Sequence, residues 1–366
     1  MNVNLLKLAR KNIQTLIPYQ SARLIGGKGN IFLNANESPD SESFSLTNKV
    51  FNRYPECQPK EILSVYSKYI SLPLNNILVT RGSDESIELL IKTFCEPYKD
   101  SIMFFPPTYD MYHINAKILG INAVIIPKLS NFQLNLKLIK SNSNSVKLIY
   151  ICNPNNPTGN IIRHKDIIFI LKLFEFKALV VIDEAYIDFC LENSMLKYLD
   201  KYPNLVILRT LSKAFALAGL RCGFTLANKN IISLLRKVIA PYPLSSPVID
   251  IVNQAFSSKN ILITKRRILQ LNDNRLFLVK ELNKLDFIEN IFDSYANYIL
   301  VKFINANKIL RFLENKGIVL RNQSAKLNLN NCIRISIGTL LECKNLVKMF
   351  NLYKIFLYKN KDINCE

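Results

Sequence analysis

The residue with the greatest chemical potential in this chain is Lys213, in the segment TLSKAFALAGLRCGF at residues 210–224. Thr210 and Ser212 place hydroxyl groups just before it, and Arg221 follows eight residues later among small side chains. An amine that binds an aldehyde cofactor covalently, beside groups that neutralise a phosphate, would use this arrangement. A solvated lysine at the start of a helix is the ordinary alternative for so short a motif. The remaining sequence must therefore supply the partners that such a lysine needs.

Two further motifs could bind the ring of such a cofactor. Asp183 ends the apolar run ALVVID, where a buried carboxylate is costly unless it meets a positive charge. A protonated pyridine nitrogen would be that charge, although a helix N-cap is the simpler alternative. Asn156 in the turn NPNNPTG and Tyr186 after DEA could both hydrogen-bond a phenolic oxygen on the ring. The alternatives are a plain β-turn and a packing aromatic residue.

Two more motifs follow predicted strands. RGSDES places Gly82, Ser83 and Asp84 at the start of a predicted helix, with Asp84 as its N-cap. Free amides and the helix dipole favour a phosphate there. Tyr109 in PPTYDMY could stack on a pyridine ring, although a core tyrosine is commoner. Each motif is ambiguous alone, but together they form an ordered set at successive strand ends.

The elements that must position these motifs alternate between residues 75 and 240. Short apolar runs, each followed by a polar turn and a helical pattern, predict an α/β fold with a mostly parallel sheet covered by helices. Ligands bind at the carboxyl ends of such strands. A long helical stretch at about 247–285 and later strand-like runs predict a smaller α+β domain. We expect an N-terminal segment (1–35) packed on the small domain or a partner subunit, a large domain (36–250) and a small domain (251–366).

Composition excludes several classes of protein. The 366 residues include 49% hydrophobic and 21% charged residues, as in globular proteins, and no apolar run is long enough to span a bilayer. Eight scattered cysteines without a CxxC pair and only two histidines predict reduced thiols, a cytoplasmic location and no metal site. The net charge of +20 is spread along the chain, so we expect no specific binding of nucleic acid and no membrane contact.

Nearly the whole chain resembles the aminotransferases that use pyridoxal 5′-phosphate (PLP) in the aspartate-aminotransferase fold, known as PLP fold type I. NPNNPTG and DEAY are shared by many such enzymes. The segments IPYQSARLIGG, NRYPECQP and IAPYPLSSPV resemble the histidinol-phosphate branch more narrowly. LNANESP, RGSDESIELL, GIVLRNQ and IRISIGT fit the same pattern.

The resemblance implies a role for each candidate residue. Lys213 would bind PLP covalently and transfer the proton, Asp183 would pair with the ring nitrogen, and Asn156 and Tyr186 would bind the phenolic oxygen. The other cofactor residues would be Gly82, Ser83, Asp84, Tyr109, Thr210, Ser212 and Arg221, with Tyr54 reaching into the neighbouring site of a homodimer. The substrate residues would be Tyr19, Arg321 and Arg334, and Arg334 would bind either the glutamate carboxylate or the phosphate of histidinol phosphate.

The sequence is also compatible with other functions. A threonine-phosphate decarboxylase or an aromatic aminotransferase would share the fold, and an inactive basic protein that binds nucleic acid or acts as a scaffold is a third alternative. One residue departs from the family pattern: Asp110 stands where glycine is expected after the stacking tyrosine. A carboxylate near a site for anionic substrates is unfavourable unless it points to solvent.

Overall fold

A computed structural model of the protein describes residues 5–47, 50–143 and 146–362. The helices are α1 (Lys11–Gln14), α2 (Ala22–Ile25), α3 (Lys60–Ile70), α4 (Gly82–Phe94), α5 (Met111–Leu119), α6 (Leu136–Ser141), α7 (His164–Leu173), α8 (Lys229–Leu235), α9 (Ser246–Ala255), α10 (Ser258–Leu282), α11 (Ala306–Glu314) and α12 (Leu340–Asp362). The strands are β1 (Ile31–Leu33), β2 (Ile77–Thr80), β3 (Ser101–Phe104), β4 (Asn122–Ile125), β5 (Val146–Cys152), β6 (Leu179–Asp183), β7 (Leu205–Thr210), β8 (Gly223–Ala227), β9 (Ile288–Phe292), β10 (Tyr298–Phe303), β11 (Ile318–Asn322) and β12 (Cys332–Ser336).

A seven-stranded sheet in the order β2-β8-β7-β6-β5-β3-β4 forms the large lobe. Strands β3 to β7 are parallel to one another, which confirms the predicted α/β fold with a mostly parallel sheet. Strand β8 runs antiparallel to both β2 and β7 and was not predicted. The sequence reasoning treated this segment as a stretch of small residues, because β8 is short, begins with glycine and follows a turn instead of a helix.

Both faces of this sheet are buried. Ile149 and Ile151 of β5 pack into one core cluster, whereas Leu148 and Tyr150 pack into a second cluster on the opposite face. Alternate side chains of a strand point to opposite faces, so continuous apolar runs are what a sheet covered on both sides requires. The polar residues that end these strands therefore meet along one edge.

A five-stranded sheet in the order β1-β11-β12-β10-β9 forms the small lobe. Strand β1 pairs in parallel with β11 and joins the N-terminal segment to this sheet. The predicted helical stretch near 247–285 is two helices, α9 and α10, because Ser257 caps α10 by accepting a hydrogen bond from the Asn260 amide. The division of the chain at residues 35 and 250 stays a prediction.

In the described part of the chain, no helix combines the length and the apolar character needed to cross a membrane. The same residues contain no group of three His, Cys, Asp or Glu side chains that could hold a metal ion. Seven cysteines are free in the structure, and Cys365 lies outside the described residues.

A buried ion pair joins β7 to the segment that follows β6. Arg209 Nη2 lies 2.8 Å from Glu184 Oε2, and both side chains are almost fully enclosed. Ser194 Oγ and the Met195 amide also donate to the Glu184 carboxylate. The pair therefore fixes the backbone next to Asp183 and just before Thr210.

Replacement of Arg209 by methionine should lower the free energy of unfolding by about 3–5 kcal/mol, because it leaves the buried Glu184 carboxylate without its cation. Equilibrium denaturation in urea measures the change. Lys302→Met is the matched control: its pair with Glu289 is about 40% exposed on both sides and should contribute less than about 1 kcal/mol. Equal losses in the two variants would contradict the structural role of Arg209.

Candidate active site

A cleft lies at the carboxyl ends of the parallel strands, between the two sheets. It receives most of the predicted site residues: Tyr19, Ser83, Asp84, Tyr109, Asn156, Asp183, Tyr186, Thr210, Ser212, Lys213, Arg221, Arg321 and Arg334. Gly82 lies immediately before Ser83, as the first residue of α4. Tyr54 lies outside the cleft of its own chain.

Lys213 follows β7 and projects into this cleft. Its amine donates a hydrogen bond to the Ala35 carbonyl at 3.4 Å and lies 5.7 Å from the centre of the Tyr186 ring. Burial lowers the pKa of Lys213 to about 8, and the nearby positive charge of Arg334 adds to this effect. The amine is therefore partly neutral, and nucleophilic, near physiological pH.

Asp183 is buried at the end of β6. Its carboxylate accepts hydrogen bonds from the Tyr112 hydroxyl at 2.7 Å and from the Ala185 amide at 3.1 Å. Burial raises the pKa of Asp183 to about 6, although both hydrogen bonds oppose that rise. Because both hydrogen-bond partners are uncharged, a cation in the cleft would stabilise the ionised carboxylate.

Tyr186 and Asn156 lie beside Asp183, and each already has a polar partner. The Tyr186 hydroxyl accepts a hydrogen bond from Asn36 Nδ2 at 3.0 Å. The Asn156 side-chain oxygen accepts one from Arg334 Nη1 at 2.7 Å. A phenol and an amide therefore lie together in the cleft, and Arg334 links the Asn156 amide to the small lobe.

A third group of residues surrounds the N-terminus of α4. Arg221 Nη1 donates to Ser212 Oγ at 3.2 Å, and Thr210 Oγ1 donates to the same atom at 2.9 Å. Arg221 Nη2 lies 3.2 Å from Asp84 Oδ2. Hydroxyls, a guanidinium group and free helix amides thus converge, which is a typical anion site.

The prediction that Asp84 is the N-cap was wrong. Arg81 occupies the cap, and Asp84 lies in the first turn of α4. The helix begins at Gly82 because that glycine adopts a φ of +76°, which turns the chain directly from β2 into the helix. The Asp84 side chain instead contacts Arg221 and accepts a hydrogen bond from the Tyr109 hydroxyl at 2.8 Å.

Two glycines leave room for the same anion site. A Cβ atom on Gly82 would lie 2.8 Å from Arg221 Nη2, and one on Gly223 would lie 2.6 Å from the Gly82 carbonyl carbon. Strand β8 therefore packs its backbone directly against the first turn of α4. Any side chain at Gly223 would force the helix N-terminus away from Thr210 and Arg221.

Arg321 and Arg334 line the side of the cleft that faces the small lobe. Arg321 Nη2 donates to the Gln20 carbonyl at 2.6 Å, and Arg334 Nη2 donates to the Asn34 carbonyl at 2.8 Å. Arg321 Nη1 and Arg334 Nε are buried without a hydrogen-bond partner among the described residues. Unpaired guanidinium N–H groups in a cleft are suited to bind an anion.

Tyr19 joins these arginines from the N-terminal segment. Its ring packs edge-on against Tyr109 at 6.3 Å between centroids. Burial raises the pKa of the Tyr19 hydroxyl, while the charges of Arg334 and Arg321 oppose the rise. The hydroxyl therefore stays protonated and can donate a hydrogen bond to an anion.

Sequence reasoning missed several polar residues in or beside the cleft, among them Asn36, Tyr112, Lys128 and Lys326. Asn36 lay within LNANESP and Tyr112 within PPTYDMY, so both motifs offered a signal. Lys128 offered none, because a single lysine in IIPKLS looks like a surface residue. It is buried, donates to Phe105 O, Pro107 O and Asn155 Oδ1 at 2.6–3.2 Å, and has its pKa lowered by burial to about 7.

Asp110 and Tyr54 are both exposed to solvent. Asp110 lies at the rim of the cleft, where its side chain is about half exposed and is paired with Lys326. Tyr54 is 80% exposed and stacks on Tyr242, with ring centroids 4.2 Å apart.

Comparison with known proteins agrees with this geometry. The family model described as aminotransferase class I and II matches residues 31–350. A histidinol-phosphate aminotransferase from Buchnera aphidicola subsp. Acyrthosiphon pisum is 58% identical over 362 residues, 98% of each chain. The chain belongs to the histidinol-phosphate aminotransferases, within the class I and II family.

Solved structures of the histidinol-phosphate aminotransferase family share the fold. The enzyme from Clostridium acetobutylicum has a TM-score of 0.80 at 25% identity, covering 89% of this chain and 99% of its own. The enzyme from Sinorhizobium meliloti, in complex with pyridoxal-5′-phosphate, has a TM-score of 0.83 at 21% identity, covering 95% and 98%. The present chain is therefore a PLP-dependent aminotransferase of fold type I.

Proposed function

We propose that this enzyme transfers an amino group reversibly between L-histidinol phosphate and 2-oxoglutarate, a step of histidine biosynthesis. One observation carries the proposal: Arg321 and Arg334 each hold a buried, unpaired N–H group in the cleft that also contains Lys213 and Asp183. The amino donors of the two half-reactions, histidinol phosphate and glutamate, are both anionic. A site that combines these arginines with a reactive lysine suits both of them.

The residues of the cleft fit PLP at its phosphate and at its ring nitrogen. Ser83, Ser212 and Arg221 would hold its phosphate at the N-terminus of α4, where the glycines leave space. Asp183 would pair with the protonated ring nitrogen, which supplies the charge that its two neutral partners lack. When bound, PLP acts as an electron sink for the bonds at the substrate Cα.

The remaining cofactor contacts would be to the phenolic oxygen and the ring face of PLP. Tyr186 and Asn156 would hydrogen-bond the phenolic oxygen, and Tyr109 would pack on the ring face. Thr210 supports Ser212, and Asp84 orients both Arg221 and Tyr109. Gly82 permits the close approach of Arg221 to α4.

Lys213 would act as the covalent anchor and as the base. Its Nζ atom, with a pKa lowered by burial to about 8, is able to take a proton from the substrate Cα and return it. The enclosing aromatic side chains of Tyr109 and Tyr186 limit the access of water to that proton. The position of Lys213 above Tyr186 keeps the amine within the cleft.

Arg334 would bind whichever anion the substrate carries. A guanidinium fork accepts a carboxylate or a phosphate, so one residue serves glutamate and histidinol phosphate in turn. Arg321 and Tyr19 would add hydrogen bonds to the phosphate. This arrangement accounts for a substrate pair that differs in the anion.

An absorbance spectrum of the purified protein tests the proposal. The band of the bound cofactor should shift when histidinol phosphate is added and return when 2-oxoglutarate follows. Rates with histidinol phosphate, phenylalanine and threonine phosphate, measured side by side, separate the related activities. A faster reaction with phenylalanine, or release of CO₂ from threonine phosphate, would contradict the proposal.

The rate of PLP capture by the apoenzyme should depend on the protonation of Lys213. Only the neutral amine attacks an aldehyde, so the rate should rise with pH through about 8 and level off near pH 9. An unperturbed lysine would give a rate that still rises at about pH 10. Stopped-flow absorbance at several pH values distinguishes the two profiles.

We also propose a homodimer in which Tyr54 reaches the partner's cleft. Its ring is 80% exposed on a surface that also contains Tyr242, and it lies outside the cleft of its own chain. The chain would act in the cytoplasm, and its large domain would span residues 36–250, between an N-terminal segment and a small domain (251–366).

Mixing of two inactive variants tests the shared site. Lys213→Ala and Tyr54→Ala homodimers should each be impaired, and subunit exchange should restore activity. A mixed dimer contains one cleft with both residues intact, so up to about a quarter of wild-type activity is expected for an equal mixture. If mixing restores nothing although native mass spectrometry detects heterodimers, Tyr54 acts within its own chain.

A further inference from the structure

The structure provides a partner for Asp110, the residue that departs from the family pattern. Lys326 Nζ donates hydrogen bonds to Asp110 Oδ1 at 2.5 Å and to the Thr108 carbonyl at 3.0 Å. Lys326 lies in the small lobe, in the loop between β11 and β12, whereas Asp110 lies in the large lobe at the start of α5. The lysine therefore crosses the cleft and joins the two lobes.

This pair belongs to the cleft and differs from an ordinary surface ion pair. Asp110 and Lys326 both line the cleft, and the Lys326 side chain is only 23% exposed. Lys326 shares the cleft with Arg321 and Arg334, and the positive charges of both arginines repel the ammonium group of Lys326. As the third cation in the cleft, Lys326 is destabilised by this repulsion, and the Asp110 carboxylate offsets part of the cost.

The pair also holds the turn that carries Tyr109. Within the large lobe, Lys128 binds the carbonyls of Phe105 and Pro107 in this turn. Lys326 binds the next carbonyl, that of Thr108, and the side chain of Asp110. Tyr109 therefore lies between Thr108 and Asp110, which both accept a hydrogen bond from Lys326 of the small lobe.

We propose that Asp110 and Lys326 form a positioning pair that fixes the distance between Tyr109 and the arginines of the small lobe. The inference rests on the proposed binding of substrate by Arg321 and Arg334. With the pair intact, an anionic substrate meets a preformed site; without it, substrate binding must also order the loop. Neither residue hydrogen-bonds Lys213 or Asp183 in the described structure, so the pair acts on substrate binding more than on proton transfer.

A double-mutant cycle with Asp110→Asn, Lys326→Met and the double variant tests this pair. Each single variant should raise the KM for histidinol phosphate about fivefold and change kcat less than about twofold. The double variant should be no worse than either single one, because both remove the same contact. The charge-reversed variant Asp110→Lys/Lys326→Glu should recover at least half of the loss on a logarithmic scale.

Two readouts separate positioning from a general structural defect. The affinity of the apoenzyme for PLP and the urea midpoint should stay close to the wild-type values in all four variants. Lys302→Met, which breaks an exposed pair within the small lobe, should leave the KM unchanged.

Multiplicative effects of the two substitutions on KM would overturn the inference. An increase in KM for Lys326→Met with none for Asp110→Asn would also overturn it, because Lys326 would then contact the substrate by itself. A failure of the proposed function is distinguishable, because it appears as an absent spectral response to histidinol phosphate in the wild-type enzyme.

Discussion

Replacement of Lys213 by alanine is expected to abolish covalent attachment of PLP and to lower kcat by at least about 10³-fold. Lys213 is the amine we assign both to cofactor attachment and to the proton at the substrate Cα. The absorbance band of the bound cofactor and the turnover rate should be lost together. Steady-state kinetics and spectra of the same preparation measure both effects.

Although Lys213→Ala should lose activity, the folded apoenzyme should not lose stability. Burial lowers the pKa of Lys213 to about 8, so the protein already disfavours the charged amine at this position. Compared as apoenzymes, without the stabilisation that bound PLP adds to the wild type, the alanine variant should therefore unfold at a urea concentration equal to or above that of the wild type. Lys213→Arg is the matched control, since it keeps a cation yet cannot attack the aldehyde. Transamination retained by either variant would refute the assignment.

Replacement of Arg334 by leucine should reduce kcat/KM in both half-reactions by about 10²-fold or more. Loss of hydrogen bonds to a charged group costs about 1.5–3 kcal/mol each, and Arg334 offers its unpaired Nε atom beside Nη1 and Nη2. Pre-steady-state rates with glutamate and with histidinol phosphate, measured separately, give the two losses.

Two further variants test the assigned roles of Arg334 and Arg321. Arg334→Lys keeps the charge and removes the fork, so it should recover only part of the activity. Arg321→Leu should affect histidinol phosphate more than glutamate, because Arg321 is assigned to the phosphate. Should Arg334→Leu impair only one half-reaction, the shared use of this arginine would be wrong.

The sequence allowed prediction of the parallel strands and of the residues that end them. The runs ALVVID and NLVILRT are continuous and apolar, as a sheet buried on both faces requires, so Asp183 and Lys213 had to emerge at the same edge. Geometry alone then brings Asn156, Tyr109 and Ser83 to that edge. Local pattern and topology agree in this part of the chain.

Residues that depend on contacts across long sequence separations were not predictable in the same way. Lys128 and Lys326 are single lysines in loops, and only the folded chain shows that each holds the turn before α5. Asp84 was misplaced as a cap because a serine–aspartate pair before an apolar run resembles one, whereas Gly82 starts the helix earlier. Strand β8 lacked the apolar length that identified its neighbours.

The parallel pairing of β1 with β11 has a consequence for synthesis of the protein. Ile31 is translated well before its partner Ile318, and the whole of the large sheet lies between them in the chain. Strand β1 therefore stays unpaired while the large sheet is synthesised. Pairing between residues so distant in the chain slows the final step of folding. Nascent chains should therefore acquire the complete cleft only after β11 and β12 have been synthesised.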